Sequence, residues 1–417
     1  MSFSFISFIG VLNSGVYGYP NSYFILLKNA LSLISFFFIF LRYKKSTNRR
    51  NILFKYLSYF FLYTLLINIL NPNYLNKSIS ILKLISFYST TSVIVLAFSM
   101  INDTKKITSW MMSMGFVGIF HSFIILIFFK NYGIWSTHQG GELFSGAFLH
   151  PNTTGTVLIP FLILYLYESI MSKSNGLKKY YYPSLVAVII MLIYLSKARG
   201  TLAGFFIAIL ITIIVAFFSK NMKKEMKFIL NSNFYILLFL MFTALVFFST
   251  FQQMISELIL KGTIYDSSDL SSIFLASRGG FILASFQNFL SNPFFGIGFG
   301  VPSIIEYSNI VYDPIFNLPI SAPVEKAFFF SALLEEMGII GTLIFLIFYF
   351  KMTMVFYKKI NLFFLLLLYF SILTLSIFEF YFFSMGTLGS FNWLWIGFMY
   401  HIASKENYLK LKYKKVE

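Results

Sequence analysis

The chain has 417 residues, of which 58% are hydrophobic and only 11% charged, and its mean hydropathy is +0.77. A soluble protein of this composition would aggregate, so the sequence predicts a polytopic membrane protein. The absence of cysteine excludes disulfides, thiol catalysis and palmitoylation. The net charge of +17 is not gathered on one soluble face, which argues against nucleic acid as a partner.

Apolar runs long enough to cross about 30 Å of hydrocarbon recur along the chain. Because no water reaches the backbone there, each run is predicted to be a helix. The first run lacks the basic start of a cleaved signal peptide, so it is predicted to remain as a membrane helix. The fold class is therefore all-α, with about twelve transmembrane helices. The predicted spans are 2–19, 22–41, 52–70, 79–100, 107–129, 153–171, 181–196, 201–218, 233–250, 328–350, 361–379 and 383–402.

Lysine and arginine set the predicted orientation. Of the 32 Lys and Arg residues, 22 fall in one alternate set of connections and seven in the other. The richer set is predicted to be cytoplasmic, together with both termini. The outer side then carries the two longest connections, 130–152 and 251–327, and connections of that length are usually functional. The predicted regions are N-terminal helices (1–150), central helices with an outward hairpin at Arg199 (151–250), an extracytoplasmic catalytic loop (251–327), and C-terminal helices with a cytoplasmic tail (328–417).

Ionisable residues inside the apolar runs gather at one predicted depth. Lys28 and Lys83 fall in the outer halves of their spans, as do Glu335 and Glu336. Long basic side chains near a helix end extend to the headgroups. That explanation suits carboxylates poorly, because charge at the hydrocarbon centre costs about 2.5–3.5 kcal/mol. Two interpretations stay open: a structural ion pair of the glutamates with Lys28 or Lys83, or a polar cavity open to the outer leaflet.

The stretch "SKARGTLAG" places Lys197 and Arg199 in an outer connection, 197–200, of only a few residues. An Arg guanidinium is a planar fork of donors that stays charged at any working pH. A tight turn would fix it at headgroup depth, where its contacts strengthen as charge develops on a leaving phosphate oxygen. The alternative is a cation that merely anchors a helix end.

The stretch "SRGGFILASFQNFLSNPFFGIGFG" spans 277–300. Its apolar residues recur near helical spacing, and Asn-Pro followed by three glycines ends the helix in a tight turn. This pattern predicts an amphipathic helix on the outer membrane surface with Arg278 at its start. A nucleotide-binding glycine loop is a weaker alternative, because these glycines follow a helix instead of a strand. The apolar positions taken to form the helix stripe are Phe281, Ile282, Ser285, Phe286, Phe289 and Leu290.

Two further stretches carry polar residues at span entries. "PVEKAFFFSALLEEMGIIG" holds Glu325 and Lys326 before a span, and its pair Gly338 and Gly341 suits close helix packing. "GAFLHPNTTGT" places His150 at another span entry, where it is either a helix cap or a substrate contact. The four histidines are scattered with none at ligand spacing, so no metal site is predicted.

Taken together, these stretches resemble the O-antigen ligase and polymerase superfamily, the Wzy-type polymerases and WaaL-type ligases. The family has an outward "S-x-x-R-(G/S)", then a long outer loop with an Arg, an amphipathic helix and "N-P-x-x-G-x-G", and finally "(L/A)-x-E-x-G-(I/L)-(I/L)-G". The resemblance covers roughly 190–345. It implies a GT-C-like membrane glycosyltransferase whose donor glycans arrive on undecaprenyl pyrophosphate, with Arg199 and Arg278 holding the diphosphate.

The sequence departs from the ligase pattern at one place. Ligases usually carry His in the polar motif before the tenth span, whereas this chain has Glu325 and Lys326 there. An attacking sugar hydroxyl needs a base or a strong acceptor, so Glu325 is predicted to be catalytic with the two arginines; His150 and Glu336 stay open as alternative bases. The predicted substrate-binding residues are Lys326, Lys197, Lys83, His150 and Glu336.

The function predicted from these residues is polymerisation of undecaprenyl-pyrophosphate-linked repeat units for O-antigen, capsule or exopolysaccharide. It would occur at the outer leaflet of the inner (plasma) membrane, without cofactor. Predicted partners are the lipid-linked glycans, the bilayer, and possible chain-length regulator and flippase proteins. The alternatives are a ligase that transfers finished glycan, and a lipid-linked-sugar flippase, which would need ionisable residues at all depths and repeat symmetry.

Overall fold

The computed structural model describes residues 22–45, 51–70, 74–101, 103–129, 131, 133–136, 142–148, 150–171, 178–196, 198–218, 279–304, 311–312, 319–321, 326, 328–359, 363–379 and 387–404. Within these ranges the chain forms eleven α-helices and four short β-strands. The helices are α1 (Ser22–Lys45), α2 (Ile52–Leu70), α3 (Tyr74–Met100), α4 (Thr104–Phe128), α5 (Pro151–Met171), α6 (Lys178–Ser196), α7 (Arg199–Phe218), α8 (Gly280–Ser291), α9 (Phe329–Lys359), α10 (Phe363–Glu379) and α11 (Thr387–Ser404). The strands are β1 (Ile134–Ser136), β2 (Glu142–Phe144), β3 (Val311–Tyr312) and β4 (Pro319–Ser321).

The helices make this an all-α membrane protein. Among the described residues, six helices are long and apolar enough to cross a membrane: α2, α3, α4, α5, α7 and α9. Helices α6 and α10 contain shorter apolar stretches. Ten of the predicted spans fall on helices, and the other two, 2–19 and 233–250, lie outside the described residues. Twelve spans and a long outer loop therefore stay predictions.

The chain forms two compact units that are not consecutive in sequence. The first contains α1, α2, α3, α8, α9, α11, β3, β4 and the ends of α4 and α10 nearest to them in the chain. The second contains most of α4 and α10, with β1, β2, α5, α6 and α7. The four regions predicted above follow chain order, so they describe a different division and stay predictions.

Helix α3 lies at the centre of the first unit. It packs against α1, α2 and α11, and 72% of its apolar span is buried inside the protein. Small hydroxyl side chains allow this close packing. These hydroxyl groups form hydrogen bonds to backbone carbonyls of the same helix: Ser89 Oγ donates to the Ser86 carbonyl at 3.0 Å, and Thr91 Oγ1 donates to the Phe87 carbonyl at 2.7 Å. A helix rich in serine and threonine is thus buried without unpaired hydroxyls at these positions.

The second unit is built on α5, which packs against α6 and α7. Helix α4 approaches α5 at Gly115, where an added Cβ would lie 2.5 Å from Phe161. At the same contact Tyr165 Oη donates to the Met112 carbonyl at 2.6 Å. The connection between α4 and α5 contains the antiparallel pair β1–β2, with Trp135 opposite Leu143, an element that the sequence analysis did not predict.

Candidate functional site

Helix α8 lies in the first unit and packs against α9. The predicted amphipathic helix is present. Unlike a surface helix of a soluble protein, it exposes its apolar side and turns its polar side to the protein. Leu283, Phe286 and Leu290 are 48%, 50% and 60% exposed, whereas Ser285 is 1% exposed. Ser285 therefore does not belong to the exposed apolar stripe in which it was predicted. The apolar side of α8 is open, and its polar side is directed at the protein.

Helix α9 is broken at Gly338, where φ is 62° and ψ is −171°. In a continuous helix, the amides of Ile339 and Ile340 would bond to the carbonyls of Glu335 and Glu336. Here the Ile339 amide donates to the Pro293 carbonyl at 2.8 Å and the Ile340 amide to that of Phe294 at 3.4 Å. The span predicted at 328–350 falls on this helix, and the break within it was not predicted.

The two carbonyls released by the break are satisfied by the segment that follows α8. The Ile297 amide donates to the Glu335 carbonyl at 2.8 Å, and the Gly298 amide donates to the Glu336 carbonyl at 3.1 Å. The segment from Asn292 to Val301, which we call the glycine loop, thus fills the break in α9. Every backbone group opened at the break finds its partner in this loop, as buried backbone requires.

Two glycines make this contact possible. An added Cβ at Gly296 would lie 2.5 Å from the Glu336 carbonyl carbon, and one at Gly338 would overlap the Phe294 backbone. Both glycines also have positive φ, 72° and 62°, which other residues adopt at a cost. The role predicted for Gly338, helix–helix packing, is therefore wrong, because this glycine packs against the loop. Gly341 does approach another helix, since its added Cβ would lie 3.3 Å from Tyr63 of α2.

Side chains from three helices satisfy the next two residues of the loop. The Phe299 amide donates to Asn68 Oδ1 at 3.2 Å, and its carbonyl accepts from Ser80 Oγ at 2.8 Å. The Gly300 amide donates to Glu336 Oε2 at 2.8 Å, and its carbonyl accepts from Lys83 Nζ at 2.6 Å.

The amides of residues 297–300 are therefore all engaged by protein acceptors. A phosphate-binding glycine loop needs such amides pointed at its ligand. The alternative of a nucleotide-binding loop is consequently wrong for this conformation.

Four charged side chains are buried around the first turns of α9. Lys83 and Lys326 are each 5% exposed, Glu335 is 0% exposed and Glu336 is 1% exposed. Lys326 Nζ lies 2.5 Å from Glu335 Oε2 and 3.9 Å from Glu336 Oε1. The glutamates are thus ion-paired, and the partner that these distances show is Lys326, whereas the sequence analysis had proposed Lys28 or Lys83. The side chain of Lys28 lies outside the described residues.

The two carboxylates hold different parts of this cluster. Glu335 accepts from Asn288 Nδ2 at 2.6 Å, Ser303 Oγ at 3.0 Å and Lys326 Nζ at 2.5 Å. Glu336 holds the glycine loop through Oε2, while its Oε1 is buried without a hydrogen-bond partner among the described residues. Glu336 therefore keeps the acceptor that a base requires. The predicted substrate contacts of Lys83, Lys326 and Glu336 stay predictions.

Asn288, Ser303, Asn68 and Ser80 were not predicted as members of this cluster. Asn68 and Ser80 lie within or next to predicted spans, where isolated polar residues in apolar runs indicate buried partners. That signal does not reveal which backbone group each residue meets, because the partners are more than 200 residues away in the chain.

In the second unit, the residues that follow His150 at the start of α5 contact Ala198 and Thr201, at the start of α7. Helices α6 and α7 are separated by only two residues in the chain, and Arg199 is the first residue of α7, whereas the predicted connection, 197–200, included it. An added Cβ at Gly155 would lie 2.7 Å from Thr201 Cγ2 and 3.2 Å from Ala198 Cβ. Thr201 Oγ1 donates to the Asn152 carbonyl at 3.2 Å. The first turn of α5 thus packs directly against the start of α7.

His150 caps the start of α5, as one of its two interpretations predicted. Its Nδ1 accepts the Asn152 amide at 3.1 Å. A neutral ring in this arrangement carries its proton on Nε2 and presents a donor there. In this conformation the Nδ1 lone pair is engaged by the Asn152 amide, so His150 is a poor general base through that nitrogen, and its predicted substrate contact stays a prediction.

The remaining predicted site residues lie outside the described part of the chain. These are Lys197, Arg278, Glu325 and the side chain of Arg199. Their roles stay predictions, as does the meeting of the two arginines on one diphosphate. Among the residues that the structure describes, no three His, Asp or Glu side chains form a cluster able to hold a metal ion.

Comparison with known protein families found no matching family model, and comparison with curated proteins found no significant sequence match. The motif resemblance described above is therefore the basis for any functional assignment, together with the geometry of the two units.

Replacing Gly296 or Gly338 by alanine is expected to loosen the glycine loop. Positive φ of this kind costs a non-glycine residue about 1–3 kcal/mol, and overpacking adds about 1–3 kcal/mol. Thermal unfolding of purified protein in detergent should show a lower midpoint for both variants. Gly280→Ala, at the exposed first residue of α8, is the control and should leave the midpoint unchanged. An unchanged midpoint for Gly338→Ala would contradict the docking of the loop at the break.

The contact between Gly155 of α5 and Thr201 of α7 predicts that a second substitution restores stability lost through the first. Gly155→Ala should lower the unfolding midpoint, since the added methyl meets the Thr201 side chain, and overpacking of this kind costs about 1–3 kcal/mol. Adding Thr201→Ser removes the methyl group that is met first and should restore part of the loss. The same thermal measurement tests both, and a double variant no more stable than Gly155→Ala would argue against this contact.

Proposed function

We propose that this chain is a membrane glycosyltransferase that polymerises oligosaccharide repeat units carried on undecaprenyl pyrophosphate. The growing glycan is transferred from its lipid diphosphate to a hydroxyl of an incoming lipid-linked unit, on the outer face of the plasma membrane. The observation that carries the proposal is the docking of the glycine loop into the break of α9, because it unites two of the motifs on which the resemblance rests.

Those two motifs are far apart in the chain but form one structure. The motif "NPFFGIGFG" supplies the loop and "LLEEMGIIG" supplies the broken helix, joined by four backbone hydrogen bonds. Gly296 is a fixed position of the first motif and Gly338 is a fixed position of the second. The contact between loop and helix needs both glycines. A shared pattern whose fixed residues meet in space supports the resemblance more strongly than the pattern alone.

The proposed catalytic residues adjoin this structure in the chain. Arg278 precedes α8 by two positions, and Glu325 directly precedes Lys326, whose side chain is buried on Glu335. In the second unit, Arg199 begins a helix directly after a two-residue connection. Each residue thus adjoins, in the chain, a part of the protein that the structure describes, and this supports the proposal because catalysis requires pre-organised groups.

The proposed reaction is a displacement at the anomeric carbon of the donor sugar. The acceptor hydroxyl oxygen forms a bond to C1 while the bond from C1 to the pyrophosphate oxygen breaks. Glu325 takes the hydroxyl proton. The arginines at 199 and 278 bind the diphosphate and stabilise the negative charge that develops on its leaving oxygen.

The absence of histidine at the place of Glu325 favours polymerisation over ligation to a different acceptor. A polymerase uses one substrate as donor and acceptor, so purified protein should extend lipid-linked repeat units without any second acceptor. Short products only, or transfer only to an added acceptor, would contradict this assignment.

Arg278→Ala and Arg199→Ala are each expected to reduce polymer formation by about 10²–10³-fold, the loss typical of one missing transition-state donor. Polymer length and amount are measured by gel after incubating purified protein with a lipid-linked repeat unit. Arg42→Ala is the matched control, because Arg42 is an exposed arginine on the predicted cytoplasmic side, and it should retain full activity. Normal polymer from either site variant would disprove its role at the diphosphate.

The proposed location requires the outer side to be the one assigned above. Because the chain lacks cysteine, a single cysteine reports its own position. Asn73→Cys lies in a predicted outer connection and should react with a membrane-impermeant thiol reagent added to intact cells. Ser174→Cys lies in a predicted cytoplasmic connection and should react only after lysis. The reverse pattern would place the proposed site on the wrong face.

A further inference from the structure

The end of α1 and the start of α2 are joined by buried side chains of the first unit. Tyr43 is 7% exposed, and its Oη accepts the Asn51 amide at 3.0 Å. Asn51 Oδ1 in turn accepts the Phe54 amide at 3.0 Å, and the ring centroids of Tyr43 and Phe54 are 6.1 Å apart. The residues next to these contacts on the two helices are therefore neighbours in space.

Two exposed lysines flank this junction, Lys44 on α1 and Lys55 on α2. Lys44 lies four positions after Phe40 and so on the same face of α1. That face meets α2, because the ring centroids of Phe40 and Phe54 are 6.1 Å apart. Lys55 directly follows Phe54, and its Nζ lies 5.7 Å from the ring centroid of Tyr59, within the range of a cation–π contact. The two ammonium groups thus lie on either side of one aromatic contact.

The charge of this part of the chain is of one sign. Six Lys and Arg residues fall within 42–55, and the first acidic residue of the sequence is Asp103. A basic segment of this density at the end of a membrane helix attracts the anionic headgroups of lipids. The junction of α1 and α2 therefore favours an anionic ligand.

An apolar surface continues from the junction along the helices. Both α1 and α2 pack against α3. Between them Tyr88 of α3 contacts Phe61 of α2 at a centroid distance of 4.1 Å and Phe36 of α1 at 5.5 Å. These rings, together with those of the junction, are only partly buried, and they offer a surface that suits an acyl chain. We call them the aromatic layer, which consists of Phe36, Phe40, Phe54, Phe61 and Tyr88.

We propose that Lys44, Lys55 and the aromatic layer form a binding site for an anionic phospholipid. The headgroup phosphate pairs with the two ammonium groups, and an acyl chain lies on the aromatic layer. A zwitterionic lipid brings the same chains, but its own cation offsets the phosphate, so the site distinguishes lipids by their charge. The site is separate from the residues of the proposed reaction, and its test does not depend on that reaction.

Arg42 offers a matched contrast within the same helix. It is exposed like Lys44, but it lies two positions away, which is about 200° around an α-helix. Arg42 is therefore on the other side of α1 from the aromatic contact with α2. Its loss should change the net charge of the protein without changing the site.

The first experiment measures lipid binding by native mass spectrometry. The purified full chain is titrated in detergent with phosphatidylglycerol or with phosphatidylcholine of the same acyl chains. The parent should bind phosphatidylglycerol at least about 10-fold more tightly. Lys44→Ala should weaken that binding about 5-fold, and Lys44→Ala with Lys55→Ala about 30-fold, as expected for one and for two basic residues at an anionic lipid surface. Binding of phosphatidylcholine should change less than about twofold, since its net charge is zero.

The controls remove equivalent charge elsewhere. Arg42→Ala, and Lys105→Ala combined with Lys106→Ala, delete exposed cations of the predicted cytoplasmic side. Each should leave the affinity for phosphatidylglycerol within about twofold, because exposed charges at a distance are screened. An equal loss in the controls would show a response to overall charge and would overturn the site. Unchanged affinity in the double variant of Lys44 and Lys55 would overturn it as well.

Two competing occupants give different results in the same experiment. Glycerol phosphate carries the charge without acyl chains, so it should not displace phosphatidylglycerol at equal concentration. Displacement would show a site for soluble phosphate compounds and would contradict the assignment to a lipid. A dimer in the parent that dissociates in the double variant would show that a second copy covers this surface, and that result would also overturn the proposal.

Discussion

The exchange of backbone hydrogen bonds at Gly338 is the constraint on which the first unit depends. A helix broken inside a membrane protein exposes amides and carbonyls that neither lipid nor apolar side chains can satisfy. Here the glycine loop supplies carbonyls for two amides and amides for two carbonyls. The loop and the helix consequently form as one structure, since either would leave unpaired backbone groups without the other.

The buried charges extend this constraint from the backbone to side chains. An isolated charge away from water is costly, whereas paired and hydrogen-bonded charges are tolerated and their geometry is strongly specified. Glu335 meets this condition through three donors, and Lys326 meets it through Glu335. Because these partners come from three segments distant in the chain, their cost favours a single arrangement of α8, the loop and α9. Such rigidity would suit the proposed site, which has to orient two large lipid-linked substrates.

Hydropathy alone predicted the helical class and the approximate bounds of most described helices, because apolar length is a local property of the chain. The tight turn at Gly296, Gly298 and Gly300 also followed from local composition, and the structure shows that all three have positive φ. The break at Gly338 was not predicted, since nothing local distinguishes a packing glycine from one that admits another backbone. Likewise, the charge pattern indicated an ion pair for the two glutamates but not its partner. Lys326 is nine residues from Glu335 and was assigned to substrate instead, because contact across a loop is not encoded by spacing.

The reversed amphipathicity of α8 bears on how the proposed site meets the bilayer. Its polar side is occupied by Glu335 and Ser303 through Asn288, and its apolar side stays exposed in the described part of the unit. An apolar face of this kind suits the acyl boundary of a bilayer, which is where the sequence predicts this helix to lie. At that boundary the helix would be held from two sides, by lipid on its apolar side and by the buried Glu335 carboxylate on its polar side. Such an arrangement would place the start of α8 at the level of lipid phosphates, which is the level that the proposed diphosphate substrate requires.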